Sequence, residues 1–290
     1  MDGIWLGDID LSAGALYHGD GRQMLRALAA RNGLETAAMA ITSPPYHVQK
    51  AYEAGLKIDD WLPLQREVIK LSMDLLLPTG SLCWQVGTYV DRRTGGIIPL
   101  DTLLIPLMLE LGLTIRGRII WYRRHGLHAR YRMSGRHETI VWATKSDDRR
   151  GYRFTLDRSL RVTQRNLDKR FSRGHPRAGE RSCDPRGANS GDVWAVPPIR
   201  AGHPERTGVH PCQMPLEVAE RLILAMSEPG DLIVDPFAGV GTTMAAALLH
   251  GRRAVGADLH RPYLDVAARR VHEAREGTLP RRPWCAALAP

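Results

Sequence analysis

The sequence predicts an α/β protein built on a doubly wound, mostly parallel sheet. Three observations carry that expectation. Short β-branched and aromatic runs alternate with segments apolar at helical spacing toward both ends of the chain, the pattern of strands joined by crossover helices. Two buried runs stop abruptly at Ser43-Pro44-Pro45-Tyr46 and at Asp235-Pro236-Phe237-Ala238-Gly239, as strands of an open sheet do where ligands bind. A chain of 290 residues with 43% hydrophobic content suffices for one large core plus a small insert.

Residues 15–18 form a short strand ending at Gly19-Asp20, and 23–30 are apolar at helical spacing. Residues 36–42 are a buried strand that stops at the Pro-Pro motif. Residues 61–77 are an amphipathic helix ended by Pro78-Thr79-Gly80, 81–86 a strand, and 99–111 a helix closed by Gly112. Residues 114–122 and 139–144 are strands rich in β-branched and aromatic residues. Periodicity then vanishes. Residues 150–206 carry scattered Gly and Pro and many Arg, with Trp194 reading as an anchor back to the core. The alternation resumes with a helix at 215–226, a strand at 231–234, a helix at 242–249, a strand at 253–257 and a helix at 262–275. Residues 1–149 and 207–276 thus read as two halves of one domain, 150–206 as an insert, and 277–290 as a flexible tail.

The charge is equally uneven. The chain carries 40 Lys/Arg against 31 Asp/Glu, a formal net charge of +9. Residues 150–206 hold 13 basic and 6 acidic residues, which leaves the rest nearly neutral. That excludes a uniformly basic, histone-like protein. A concentrated basic segment is either a solvated Arg-rich loop or the footprint of a polyanion. Four cysteines without a Cys-x-x-Cys pair argue against a disulfide scaffold and a Cys-based zinc site, and no metal is expected. The N-terminus lacks a basic and apolar leader, and no apolar stretch reaches the roughly 18–20 residues of a membrane span. A cytoplasmic protein with no membrane partner is expected.

The loop Asp235-Pro236-Phe237-Ala238-Gly239-Val240-Gly241-Thr242-Thr243 joins a strand to a helix. Glycines there let backbone approach a ligand, and the helix start offers free N–H groups. No Lys follows Gly241 and position 244 is Met, so neither the P-loop nor the dinucleotide pattern applies. The loop suits a nucleoside-like ligand without a pyrophosphate. Alone, such a turn is more often a tight structural connection. Asp258, closing the next strand, is what points to a ligand, because a carboxylate there can accept from ribose hydroxyls. At the other motif, two prolines fix the backbone and remove two donors. The Ser43 hydroxyl and the Pro44 carbonyl remain as rigid acceptors for an amino group, beside a flat Tyr46 face. A Pro-Pro turn with a packed tyrosine is the plain alternative.

Together these two motifs resemble those of the S-adenosylmethionine-dependent amino-methyltransferases of DNA, the N4-cytosine/N6-adenine family. Their order, Pro-Pro-Tyr first and cofactor loop near the C-terminus, resembles its permuted β group. His210-Pro211-Cys212-Gln213-Met214-Pro215 before Arg221-Leu222-Ile223 is similar to the family's His-Pro helix. Gly19-Asp20 is similar to the turn that caps the adenine end of the cofactor, and His137-Glu138 also fits. Many relatives carry Lys where Met214 stands, so this chain departs from the family pattern at that helix.

The resemblance implies a Rossmann-like, seven-stranded methyltransferase sheet with a small basic target-recognition insert. It implies S-adenosyl-L-methionine as cofactor, held by Asp20, Thr42, His210, Pro211, Asp235, Pro236, Phe237, Ala238, Gly239, Gly241, Thr242, Thr243 and Asp258. Ser43, Pro44, Pro45 and Tyr46 become the catalytic set. Double-stranded DNA is the implied partner, contacted by Arg153, Arg158, Arg161, Arg165, Lys169, Arg170, Arg173 and Arg177 of the insert and by Arg123, Arg124 and Arg130 of an earlier loop. The family context adds a cognate restriction endonuclease and a second copy of the chain as partners. Relatives with Ser-Pro-Pro-Tyr mostly methylate cytosine N4 and those with Asp-Pro-Pro-Tyr adenine N6, so a flipped-out cytosine is the expected target and adenine the alternative. A DNA-binding protein that keeps the fold without the activity is the contrasting class. Relatives modifying glutamine usually carry Asn-Pro-Pro-Tyr, which this chain lacks.

Overall fold

A computed structural model describes residues 4–6, 14–45, 58–91, 93–123, 129–156, 161–162, 168–182, 184 and 188–282, with backbone alone for 4–6, 58 and 161–162. In chain order the elements are β1 (Ile4–Leu6), β2 (Ala15–His18), α1 (Gly21–Asn32), β3 (Ala37–Thr42), α2 (Ile58–Leu75), β4 (Leu76–Val86), β5 (Thr88–Val90), β6 (Ile97–Pro99), α3 (Asp101–Glu110), β7 (Thr114–Tyr122), β8 (His137–Thr144), β9 (Arg161–Val162), β10 (Ala188–Asn189), β11 (Val193–Trp194), α4 (Leu216–Met226), β12 (Leu232–Asp235), α5 (Thr242–Leu249), β13 (Arg253–Asp258) and α6 (Arg261–Arg275).

One sheet takes the order β1-β2-β13-β12-β3-β4-β8-β7-β11. From β2 to β4 neighbouring strands run parallel, and β8 runs antiparallel between β4 and β7. Parallel strands are covered on both faces and so must be apolar on both; β3 and β12 are buried along their whole length. α1, α2 and α3 pack on one face, and α4, α5 and α6 on the other. This is the expected Rossmann-like, mostly parallel arrangement. Seven strands make its body, and the short β1 and β11 extend it to nine. β12, from late in the chain, lies directly beside β3, from its start. The strand order diverges between these two, and ligands of doubly wound sheets bind at the carboxyl ends of such a pair.

Several boundaries differ from the sequence reading. α2 passes straight into β4 without a loop, and Pro78-Thr79-Gly80 lies inside the extended segment. The extra residues are absorbed by a register shift: Ala37 faces Leu76, but Met39 faces Ser81. The hairpin of β5 and β6 has no counterpart in the sequence pattern. Its three-residue strands are too short to show a period, and the turn is held by Asp91, which accepts from the amides of Arg93 and Thr94. The insert is stitched to the body at both ends. Tyr152 and Phe154 pack on Trp142, the Thr155 amide donates to Ala225 O, and Trp194 is buried in β11 against β7. The expected flexible tail begins docked: Leu279 is buried and Arg281 pairs with Glu220. Among the described residues no helix is long and apolar enough to cross a membrane.

Candidate active site

The carboxyl ends of β2, β13, β12 and β3 bring the predicted residues to one edge. Asp235 ends β12 fully buried. Its Oδ1 accepts from Thr42 Oγ1 at 2.5 Å and from the Phe237 amide at 3.1 Å. The Thr42 bond ties two strands that lie 193 residues apart in the chain. Burial pushes the Asp235 carboxyl up to about 6, against the opposing pull of its hydrogen bonds. The glycine loop then turns through left-handed backbone at Gly239 and Gly241, with φ of 52° and 72°, a region that favours glycine. A Cβ on Gly241 would stand 2.8 Å from Ala267 Cβ, so the loop is also packed tightly from behind.

Asp258 closes β13. Its Oδ2 accepts from the Gly239 amide at 2.9 Å and its Oδ1 from the His260 amide at 2.7 Å. Burial raises its pKa, and those bonds work the other way. The carboxylate therefore fastens the loop, and each oxygen keeps a second lone pair for a ligand hydroxyl. The Gly19 amide donates to Asp258 O, which brings the β2 turn alongside. There Asp20 caps α1, accepting from the Arg22 amide at 2.8 Å and from its guanidinium. Burial would raise its pKa, but Arg22 outweighs that and holds it below the ordinary value. Gly21 leaves no room for a side chain: a Cβ would fall 2.2 Å from Pro236 O, so any substitution must displace the loop.

The His-Pro segment covers the loop. The His210 ring lies against Gly239 and 4.7 Å from the Tyr263 ring. Burial lowers its pKa to about 4, so the ring is neutral near pH 7. Its Nδ1 accepts from the Cys212 amide, which puts the proton on Nε2. Pro211 is exposed. Met214 contributes its carbonyl, which accepts from Thr242 Oγ1 at 3.2 Å. Ala238 is held by its amide to Ala257 O, and Thr243 is buried at the start of α5. These groups suit S-adenosyl-L-methionine better than a nucleotide phosphate. Two carboxylates face the loop and would repel an anion, whereas they match ribose hydroxyls and an ammonium group.

Ser43, Pro44 and Pro45 continue from β3 at the same edge. Pro44 is buried, and Pro45 O accepts from Trp61 Nε1 at 2.7 Å. The buried Trp61 of α2 thus pins the turn. Tyr46 lies outside the described residues, as do Arg124, Arg158 and Arg165.

The predicted basic residues do not form one group. Arg123 pairs with buried Glu138 at 2.7 Å. Arg153 pairs with Asp231, before the start of β12 and so at the opposite edge from the glycine loop. That separates it from any duplex at the carboxyl edge. Arg161 lies in β9, which pairs with β10. Lys169, Arg170, Arg173 and Arg177 share an exposed, turn-rich module. Within it Arg170 donates to Gly179 O, and Arg177 pairs with Glu180 and covers Phe171, whose other partner is the His175 ring. Arg130 is exposed beside Tyr131.

Arg270 was missed by sequence reasoning. It is 3% exposed and donates to Val240 O at 2.7 Å and Thr242 Oγ1 at 3.0 Å. A buried guanidinium thus splints the glycine loop, its pKa lowered to about 10 by burial. The signal was available: Arg270 falls on the helical stripe of Leu264, Ala267, Val271 and Ala274, where a solvated charge does not belong.

Comparison with known proteins agrees with this geometry. A family model described as DNA methylase, N6_N4_Mtase, matches residues 37–269. The chain is 40% identical over 252 residues to the Type II methyltransferase M.BglII of Bacillus subtilis, which covers 87% of this chain and 67% of that one. It is 28% identical over 272 residues to the DNA adenine methyltransferase YhdJ of Escherichia coli K12, covering 90% and 84%. Its fold matches TTHA0409 of Thermus thermophilus, solved with S-adenosyl-L-methionine, at TM-score 0.59 and 27% identity over 89% of this chain and 95% of that one. With the match running through both motifs at the carboxyl edge, the chain belongs to the N6_N4 family of DNA methylases, which depend on S-adenosyl-L-methionine.

Proposed function

We propose that the chain methylates the exocyclic N4 amine of a cytosine flipped out of duplex DNA. The observation that carries this reading is the position of Ser43 and Pro44 at the end of β3, beside the Thr42–Asp235 bond that joins it to the glycine loop. The bound cofactor supplies an electrophilic methyl group. An aromatic amine is a poor nucleophile because its lone pair is delocalised into the ring. The Ser43 hydroxyl and Pro44 carbonyl accept its N–H groups, which lets the nitrogen pyramidalise and regain that pair. Held there, the nitrogen would present that pair to the methyl group the cofactor supplies, and the proton it gives up would pass to solvent. Positioning supplies much of the rate. A base inside the duplex is out of reach, so the target is extruded and stacked on Tyr46.

Asp258 and Asp20 take the nucleoside end of the cofactor, Asp235 and the loop amides the other end, and neutral His210 covers the loop. The insert, chiefly the module around 168–182, supplies the surface that reads the target. Adenine N6 is the second reading, favoured by the likeness to YhdJ, a protein named as an adenine methyltransferase. Mass spectrometry of nucleosides from duplex DNA treated with enzyme and cofactor decides between them. N4-methylcytosine is expected, and N6-methyladenine as sole product overturns the cytosine choice. Side-by-side labelled-methyl transfer to DNA, RNA and protein tests the substrate class, with DNA the expected acceptor.

A further inference from the structure

The segment between β7 and β8 is not accounted for by cofactor or amine chemistry. Its described residues, 129–136, lead into β8 at the same edge as the Pro-Pro turn, because β7 ends and β8 begins there. β8 is two strands from β3. At about 4.8 Å per strand the segment starts roughly 10–15 Å from Ser43, close to the roughly 12 Å width of a DNA major groove.

Its base is braced. The Arg123 amide donates to Arg136 O at 2.8 Å, the Arg123 guanidinium pairs with buried Glu138, and Glu138 also accepts from Gln85 of β4. Residues 129–134 close on themselves, the Ala129 amide donating to Ser134 Oγ at 3.0 Å. Between those closures runs Arg130-Tyr131-Arg132-Met133. Tyr131 is 89% and Met133 94% exposed, more than any other large hydrophobic side chain described. Residues 129–136 contain three arginines and no carboxylate. A flat ring and a flexible thioether held out from a basic, braced turn suit one occupant, the interior of a duplex flanked by phosphates.

We propose that Tyr131 and Met133 form a wedge that enters duplex DNA and fills the gap left by the extruded base, with Arg130 and Arg132 on the adjacent phosphates. Apolar side chains driven between base steps unstack them and hold the distortion. This rests on the proposed DNA substrate, so the test separates the two.

Transfer of labelled methyl is measured for wild type and the Tyr131→Ala/Met133→Ala double variant. The duplexes carry the site found by single-molecule sequencing of host DNA, either fully paired or with an abasic position opposite the target. The abasic partner removes the unpairing penalty that a wedge offsets. The double variant should lose at least about tenfold on the paired duplex and return to within about threefold of wild type on the abasic one. Its cofactor affinity by calorimetry should equal that of wild type. Equal losses on both duplexes, or none on either, overturn the wedge. Absence of transfer by wild type overturns the DNA reading itself and the wedge with it. A change in oligomeric state of the variant on gel filtration would instead assign the two side chains to an interface between copies and overturn the proposal.

Discussion

Asp235 shows how a single buried carboxyl can hold a site together and still carry a penalty. Burial moves its pKa from 3.8 to about 6. A carboxyl raised in this way stabilises the fold most below its unfolded pKa, and the contribution is lost as pH climbs through about 6. Asp235→Asn removes the titration and keeps an acceptor for Thr42 and for the Phe237 amide. Denaturation midpoints at pH 4 and 7 should show wild type losing about 2 kcal/mol relative to the variant across that interval. Parallel curves would mean that Asp235 titrates as an ordinary carboxyl. Arg270 acts on the same loop from the other side. Losing a buried donor to Val240 O and Thr242 Oγ1 leaves acceptors unpaired, at about 1–3 kcal/mol. Arg270→Met should therefore raise the cofactor Kd about tenfold while the rate at saturating cofactor holds, and Arg270→Lys should recover part of the affinity. A fall in kcat with unchanged Kd would remove Arg270 from its positioning role.

At the scale of elements, the glycine loop is wedged between the start of α1 and the flank of α6. Gly21 meets Pro236 O on one side and Gly241 meets Ala267 on the other. Gly21→Ala should displace the loop, lowering stability by about 1–3 kcal/mol as overpacking does and weakening cofactor binding with it. Calorimetry beside a urea titration would read both, and normal affinity in a destabilised variant would show that the loop tolerates the shift. The core strands were legible because buried runs such as β3 and β12 end at turn motifs, so pattern and punctuation agree. The direct passage from α2 into β4 was not, because Pro78-Thr79-Gly80 reads as a turn whether or not the chain pauses there. The motif residues of the site were legible for the same reason as the strands. Their fastenings were not: the partners of Trp61 at Pro45 and of Glu138 at Arg123 are long-range contacts that no local spacing encodes, and the stripe of α6 marks Arg270 as buried without naming Val240 as its partner. Charge counting found the basic segment but could not tell Arg153, bound to Asp231, from Lys169 and Arg173 on an exposed turn. Replacing Lys169 and Arg173 by Gln should flatten the salt dependence of DNA binding by up to about two units of slope. Arg153→Gln should leave that slope unchanged and lower stability instead. The reverse pattern would put the duplex on the other edge.

Across the whole molecule, the two ends of the chain are interleaved in one sheet. β12 and β13, from the C-terminal part, lie between β2 and β3 from the N-terminal part, and Thr42 is bonded to Asp235 across that seam. Neither part can bury its strands alone, since each supplies the other's neighbours. The exposed turn at Gly179 belongs to no strand of this sheet. A protease recognition sequence placed after Gly179 would therefore cut the chain without cutting the fold. Cleaved there, the two fragments should migrate together on gel filtration and bind S-adenosyl-L-methionine with nearly the affinity of the intact chain. DNA binding should weaken if this module is the proposed DNA-reading surface, because a nicked module presents its arginines with added conformational entropy. Fragments that separate without denaturant would show that the insert, rather than the interleaved sheet, holds the halves together. Loss of cofactor binding in fragments that stay associated would show that the module reaches the glycine loop and is part of the cofactor site.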